Sequence, residues 1–231
     1  AAFYNCRKLK KLSVGTAISG IGSDEFMNDS QLEHLIIRGK DSEATGLPLI
    51  LERIAENITV SFCPNSSSSP ESIVFFPEYY EWLDEISPAH IFSRSIHGEG
   101  FRMRRSFENG ILDYRKYDSC LENALTVESP ESLCKIALNR LRWPSRLEDI
   151  FREKYENVIK KYMGTAFTLA VKDQDFPMLQ FICEHFSPDA SALASAIDQC
   201  IEKEWGEGNA FLIEAKHKSF SKKTFDFDLD F

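Results

Sequence analysis

Two stretches near the N-terminus repeat the same order of apolar and polar residues. Residues 3–14 read FYNCRKLKKLSV and residues 26–37 read FMNDSQLEHLII. The positions that coincide are Phe3 with Phe26, Asn5 with Asn28, Leu9 with Leu32, Leu12 with Leu35 and Val14 with Ile37. The end of each stretch alternates as a short strand with one buried face does. We therefore predict two stacked coils whose strands pair in parallel and share one core.

The outward side chains of these two strands would form the concave face of the stack. The predicted ligand contacts on this face are Lys11, Ser13, His34, Ile36 and Arg38. The alternative is that the two coils lie outside the binding patch of a longer solenoid. The asparagines of the repeat are expected at turns, where their amides can satisfy backbone groups.

After residue 39 the repeat stops. Apolar spacing over 47–55 predicts an amphipathic helix, with a proline tolerated in its first turn. Alternation over 58–62 predicts a strand that joins the sheet in parallel through a right-handed crossover and closes the core. Beyond a polar loop, we expect a strand at 73–76 and a short helix over 77–86.

From residue 129 onward, apolar residues recur at helical spacing. Ser129-Pro130-Glu131-Ser132 is expected to begin a helix with proline at an early position, and Asp189 is suited to cap another. Further helices are predicted over 147–162, about 165–173, 179–186 and around 211–215. The short loops between them predict antiparallel neighbours.

The N-terminal repeat resembles the BspA-type leucine-rich repeat of bacteria, whose units read roughly A-F-x-x-C-x-x-L-x-x-I-x-I-P, with an I-G pair before the next unit. The matching residues of the first coil are Ala2-Phe3, Cys6, Leu9, Leu12, Val14 and Ile21-Gly22. The second coil departs, because Glu25 replaces Ala, Asp29 replaces Cys and no Pro follows Ile37. The match covers about 38 of 231 residues. It implies a solenoid used for protein or surface adhesion, without catalytic residues.

The helical half resembles ankyrin-type arrays in its rhythm, since Leu179 and Leu212 are 33 residues apart, but it has no T-P-L-H signature. The predicted fold class is therefore α+β: the end of a leucine-rich-repeat solenoid with a capping helix and strand, followed by an all-α helical-hairpin region. The predicted segments are 1–63 for the coils and cap, 64–128 as a mixed connection, 129–220 as the helical region and 221–231 as a tail.

Composition narrows the classes of function. Apolar residues make up 43% and charged residues 27% of the chain, as in soluble globular proteins. The net charge of −9 argues against nucleic-acid binding and against a polybasic membrane surface. No apolar run approaches the ~20 residues of a membrane span. The six cysteines lack the clustering of a zinc site or disulfide framework, so we expect reduced, structural thiols and no cofactor.

The residues best suited to chemistry lie between positions 90 and 105. His97, Arg102, Arg104 and Arg105 could form an anion site with paired donors, and His90 lies nearby. The alternative is that these arginines pair with surplus Asp and Glu across a seam between domains. An enzyme site here is a further, weaker alternative.

The tail alternates apolar and acidic residues from Phe225 to Phe231. It is either a disordered end or an edge strand, added to its own sheet or to that of a neighbouring copy. Because the chain begins Ala1-Ala2-Phe3 in mid-repeat, we expect a piece of a longer protein, at the cell surface or in the cytoplasm. We expect a non-catalytic interaction module that binds a protein or a cell-surface ligand. The alternative is a small enzyme or anion-binding domain that uses residues 97–105.

Overall fold

The protein is described from a computed structural model that covers residues 2–65, 67, 69–86 and 91–223. Its contacts divide the chain into two compact units, Ala1–Tyr155 and Glu156–Phe231. The first unit combines a small, largely parallel sheet with helices, and the second is helical. The fold is therefore mixed α+β, as predicted.

A four-stranded sheet forms the centre of the first unit, with strand order β1-β2-β3-β4. The strands are β1 (Lys11–Gly15), β2 (His34–Arg38), β3 (Ile58–Phe62) and β4 (Ser72–Phe76). β1, β2 and β3 pair in parallel, and β4 pairs with β3 in antiparallel. Leu12 lies opposite Leu35 and Val14 opposite Ile37, so the predicted pairing of the two strands is confirmed.

The loops that precede β1 and β2 repeat one another as closely as the strands do. Phe3 and Phe26 stack with ring centroids 5.6 Å apart and planes 6° from parallel. Asn5 and Asn28 both adopt left-handed backbone angles, with φ of 63° and 69°. Asparagine tolerates this conformation better than most residues. The amide of Cys6 donates to Oδ1 of Asp29 at 2.7 Å, which links the two coils.

One face of the sheet is packed against helices and forms the core. Leu35, Ile37 and Val60 are fully buried there, together with Leu47 and Leu51 of α1 (Leu47–Leu51). The predicted capping helix is therefore present, but it ends at Leu51 rather than near residue 55. The sheet continues beyond residue 63, because β4 supplies further buried apolar side chains to the same core.

The predicted helix over 77–86 is wrong, because this stretch is a strand. β5 (Tyr80–Ile86) pairs in antiparallel with β6 (Ile91–His97), and together they form a separate two-stranded sheet, here called the arm. Aromatic residues at positions 79, 80 and 82 imitate a helical stripe, but they also suit a strand. His90 lies outside the described residues.

The rest of the first unit follows the arm in the chain. Its elements are α2 (Gly100–Met103), β7 (Phe107–Glu108), β8 (Ile111–Leu112), α3 (Tyr114–Ser119), α4 (Leu121–Val127) and α5 (Pro130–Arg142). Asn109 and Gly110, with φ of 52° and 79°, form the two-residue turn between β7 and β8. The helix predicted to begin in this segment starts at Pro130, and Ser129 caps it, since its side chain accepts from the amide of Ser132. The next helix, α6 (Asp149–Lys161), runs through the division between the two units.

A buried ion pair joins α3 to α5. Nε and Nη2 of Arg140 donate to the two carboxylate oxygens of Asp118 at 2.8 and 2.9 Å. The hydroxyl of Tyr155 donates to the same carboxylate at 2.8 Å. Both charged side chains are essentially inaccessible to solvent, at 0% and 1% exposure. Removing either partner would therefore leave a buried charge without compensation.

The second unit is a pair of helical hairpins. Its helices are α7 (Met163–Lys172), α8 (Phe176–Phe186), α9 (Ala190–Glu202) and α10 (Gly206–Lys223). Asp189 caps α9 as predicted, since its side chain accepts from the amide of Ala192 at 2.7 Å.

The turns inside the two hairpins have the same geometry. Gln174 and Glu204 are both left-handed, with φ of 49° and 54°. The amide of Asp175 donates to the Ala170 carbonyl and that of Trp205 to the Cys200 carbonyl, each at 2.9 Å. These equivalent residues are 30 positions apart, not the 33 positions that were expected. In this register Leu212 corresponds to Ile182 instead of Leu179.

In the described part of the chain, no helix is both long and apolar enough to cross a membrane. The predicted association through Phe225–Phe231 lies outside the described residues.

Candidate functional site

The face of the sheet opposite the core, here called the open face, carries the predicted ligand contacts. Lys11, Ser13 and Arg38 are exposed on it. Nε of Arg38 donates to Oγ of Ser13 at 3.0 Å, and Nε2 of His34 lies 2.7 Å from Oγ of Ser61. These cross-strand hydrogen bonds hold the polar side chains in a fixed row over three strands.

Ile36 is a correction to the predicted contacts. Its side chain is only 9% exposed, so little of it can reach a ligand. Ile36 lies on the inner strand β2, directly between Ser13 of β1 and Ser61 of β3. The accessible part of the open face is therefore polar and cationic rather than apolar.

His34 is held neutral on this face. Burial lowers its pKa, and the positive charge of Lys11 on the adjacent strand lowers it further. A neutral imidazole can donate with one nitrogen and accept with the other, whereas a protonated one only donates. The accessible positive charge of the open face therefore comes from Lys11 and Arg38.

The predicted anion site at His97, Arg102, Arg104 and Arg105 is not brought together by the fold. His97 stacks on Tyr80 with ring centroids 4.8 Å apart. Arg102 pairs with Glu99, the residue that precedes α2, with Nη1 3.2 Å from Oε1. Arg104 and Arg105 line a different cavity from the one that His97 lines.

Arg104 is also a correction to that predicted site. Its guanidinium is buried and donates to the carbonyls of Ile54, Glu56 and Gly100 at 2.9, 2.6 and 3.1 Å, and also to that of Pro77. Burial lowers the pKa of Arg104 to about 10, which still leaves it charged near neutral pH. Through these four hydrogen bonds to carbonyls, Arg104 ties three chain segments together, and it adds its positive charge to the cavity that it lines. Its hydrogen bonds are thus to main-chain carbonyls rather than to the carboxylates that the sequence suggested.

The cavity beside Arg104 has a volume of about 520 Å³. We call it the arginine–aromatic cleft; its basic residues are Arg53, Arg94, Arg104 and Arg105, its acidic ones Glu52 and Glu81, and its main aromatic ones Tyr79 and Phe101. Arg53 was missed in the sequence, because it lies about 40 positions before the other arginines and no spacing connects it to them.

A second cavity, of about 400 Å³, is lined by His97, Glu78 and Glu128. The amide of Glu99 donates to Oε1 of Glu128 at 2.7 Å, and the side chain of Asn123 donates to the buried carboxylate of Glu99. The pKa of Glu128 is raised, mainly by burial and then by the negative charges of Glu99 and Glu78. The described residues nonetheless contain no group of three potential ligands placed to hold a metal ion.

The six cysteines are all free thiols. Burial raises the pKa of Cys120 to about 11 and those of Cys134 and Cys183 to about 12. Thiols with such values stay protonated near neutral pH and are poor nucleophiles. These three cysteines therefore behave as small apolar side chains, buried at positions 120 and 134 and partly exposed at position 183.

Comparisons of the chain with protein-family models, with curated proteins and with solved structures gave no match.

Proposed function

We propose that the protein is a non-catalytic interaction module of a larger leucine-rich-repeat protein of the BspA type, and that it binds a protein or a cell-surface ligand through the open face. The observation that carries the proposal is the in-register stacking of two coils, with Leu12 opposite Leu35 in parallel strands. Repeat solenoids use the exposed side of such stacked strands as extended binding surfaces.

The details of the two coils support the leucine-rich-repeat assignment. Stacked Phe3 and Phe26, left-handed Asn5 and Asn28 and paired strands recur at one spacing, as expected when each coil is a copy of one unit. Asp29, which stands where the first coil has Cys6, accepts a hydrogen bond from the Cys6 amide. The departure from the repeat pattern at this position is therefore compatible with stacking.

The charges of the open face favour an acidic ligand surface. Lys11 and Arg38 are exposed there, and Arg38 is oriented by its hydrogen bond to Ser13. A cationic patch on a chain with a net charge of −9 selects negatively charged partners and raises their rate of association.

A photo-crosslinking experiment tests this proposal. We would replace Ser13 with p-benzoylphenylalanine and irradiate the cells that make the protein. The matched control places the same group at Leu49, which is 36% exposed on α1, a helix outside the open face. We expect a discrete covalent adduct from position 13 and none from position 49.

A second variant links that adduct to the charges of the face. Lys11→Glu combined with Arg38→Glu, in the Ser13 photoprobe background, is expected to reduce the adduct strongly. Equal labelling at positions 13 and 49, or an adduct unaffected by charge reversal, would contradict a binding role for the open face.

A further inference from the structure

The arginine–aromatic cleft concentrates positive charge in an acidic protein. It contains four arginines and two glutamates, whereas the whole chain has a net charge of −9. Glu81 pairs with Arg94 on the adjacent strand of the arm. Glu52 also lines the cleft, so the three remaining arginines, Arg53, Arg104 and Arg105, exceed the one remaining carboxylate by two charges.

Two of these arginines have donors to offer a ligand. Neither Arg53 nor Arg105 forms a side-chain hydrogen bond or ion pair with another residue in the described ranges. Both are exposed, and the guanidinium of Arg105 lies over the ring of Phe101, 3.6 Å from its centroid. Stacking of this kind restricts a guanidinium to one plane and leaves its N–H groups directed outward along the edge.

Arg104 lines the cleft and places a positive charge there at a fixed position. It is fixed by its hydrogen bonds to main-chain carbonyls, and its guanidinium lies 5.2 Å from the centroid of the Tyr79 ring. An anion in the cleft would be attracted by this charge without having to displace any of those bonds. A preorganised charge of this kind costs little to use on binding.

Aromatic and apolar side chains form another part of the cleft lining. Tyr79 and Phe101 meet edge to face, with ring centroids 5.3 Å apart and planes 63° from parallel. Phe107, Pro48 and Leu51 add further apolar surface to the lining. The volume of about 520 Å³ lies in the range of small-molecule sites.

We propose that the arginine–aromatic cleft binds a small organic anion that joins a phosphate group to a flat aryl group. Arg53 and Arg105 bind the phosphate through charge-assisted hydrogen bonds, a role that suits the guanidinium fork. The aryl group packs against Phe101 and Tyr79. This site is distinct from the open face, and its occupation does not require a protein partner there.

Titration calorimetry with phenyl phosphate as the probe tests the proposal. Saturable binding to the intact chain is expected, and added salt should weaken it because part of the attraction is electrostatic. Arg53→Gln and Arg105→Gln are each expected to weaken binding by about tenfold or more, the loss expected for one charge-assisted hydrogen bond. Arg115→Gln is the charge-matched control; Arg115 is exposed outside the cleft, and its replacement should leave the affinity unchanged.

A second series tests the aryl contact. Phe101→Leu should weaken the binding of phenyl phosphate by a larger factor than the binding of inorganic phosphate, because Phe101 contacts the aryl group as well as orienting Arg105. Each variant is first compared with the parent chain by thermal melting, so that unfolded variants are not scored. The proposal is overturned by the absence of saturable phenyl phosphate binding up to about 10 mM. It is also overturned if Arg115→Gln weakens phenyl phosphate binding as much as Arg53→Gln and Arg105→Gln do. The same holds if the Phe101→Leu variant binds phenyl phosphate as tightly as the parent chain.

Discussion

Phe3 and Phe26 lie one above the other, with ring centroids 5.6 Å apart, and each occupies the same place in its own coil. The paired strands that follow keep the same offset, so that Leu12 meets Leu35. The same offset in sequence between the two coils therefore relates their loops and their strands. Because both depend on one register, a change that disturbs the core between the coils should destabilise the whole sheet.

Leu35→Ala should be strongly destabilising. Leu35 is fully buried on the inner strand β2, and removal of its side chain leaves a cavity that the sheet cannot collapse around. The expected loss in the free energy of unfolding is about 2–5 kcal/mol. Urea denaturation measures it, with Leu49→Ala as the control because Leu49 is 36% exposed. Equal losses in the two variants would contradict the position of Leu35 in the core.

Asn28 tests the left-handed turn of the second coil. Its φ of 69° favours glycine or asparagine and is costly for a β-branched side chain. Asn28→Val should lower the free energy of unfolding by about 1–2 kcal/mol. Asn28→Gly should change the free energy of unfolding by only about a few tenths of a kcal/mol, since glycine adopts this conformation without strain. If valine and glycine were tolerated alike in thermal melts, the turn would have a different conformation.

The buried side chains of Asp118 and Arg140 should keep the fold stable only when both charges are present. Asp118→Asn leaves the inaccessible guanidinium of Arg140 without a carboxylate, at an expected cost of about 3–5 kcal/mol. Replacing both residues, as in Asp118→Leu with Arg140→Met, should recover part of that loss because no charge stays buried. The recovery is incomplete because the buried Tyr155 hydroxyl then lacks its acceptor. Arg115→Met, on an exposed residue, serves as the control and should leave the urea midpoint unchanged. A double variant less stable than the single one would argue against this reasoning.

His34 should make stability depend on pH. Burial and Lys11 lower its pKa below the ordinary 6.5, so the unfolded chain takes up a proton that the folded chain resists. This contribution to stability is fully present above pH 6.5 and is lost as the pH falls below it. His34→Gln should therefore flatten the decline in the free energy of unfolding between about pH 7.5 and 5.5, the interval around an ordinary histidine pKa. An NMR titration of Lys11→Gln should show the His34 pKa moving upward, and an unchanged pH slope in His34→Gln would refute the assignment.

The sequence predicted those parts of the fold whose pattern is local and repeated. Coincidence of leucines and asparagines between two coils was sufficient for β1 and β2. The proline after Ser129 and the cap at Asp189 were sufficient for the starts of two helices. The arm was missed because the aromatic residues from Tyr79 to Trp82 fit two periodicities, and only pairing with residues 91–97 decides between them. The Asn109-Gly110 pair is also a local signal, typical of a two-residue hairpin turn, and the structure has the turn there.

The candidate sites were less predictable, because they depend on contacts between distant segments. Nothing in the local sequence indicates that Arg104 binds the carbonyls of Ile54 and Pro77, or that Arg53 lines the same cleft as Arg105. Likewise, alternation places Ile36 outward from its strand, but only the folded structure shows that it is largely buried. Charge clusters in a sequence thus identify candidates, and tertiary contacts decide which donors stay available.

Methyl–methyl nuclear Overhauser effects between the first two strands test the stacked coils most directly. With stereospecific labelling of leucine, valine and isoleucine methyl groups, the parallel register gives close contacts from Leu12 to Leu35 and from Val14 to Ile37. Cross-peaks for both of these pairs are the expected result. Cross-peaks from Leu12 to Ile37 and from Val14 to Leu35 instead, or none between the two strands, would contradict the parallel stack and with it the proposed binding face.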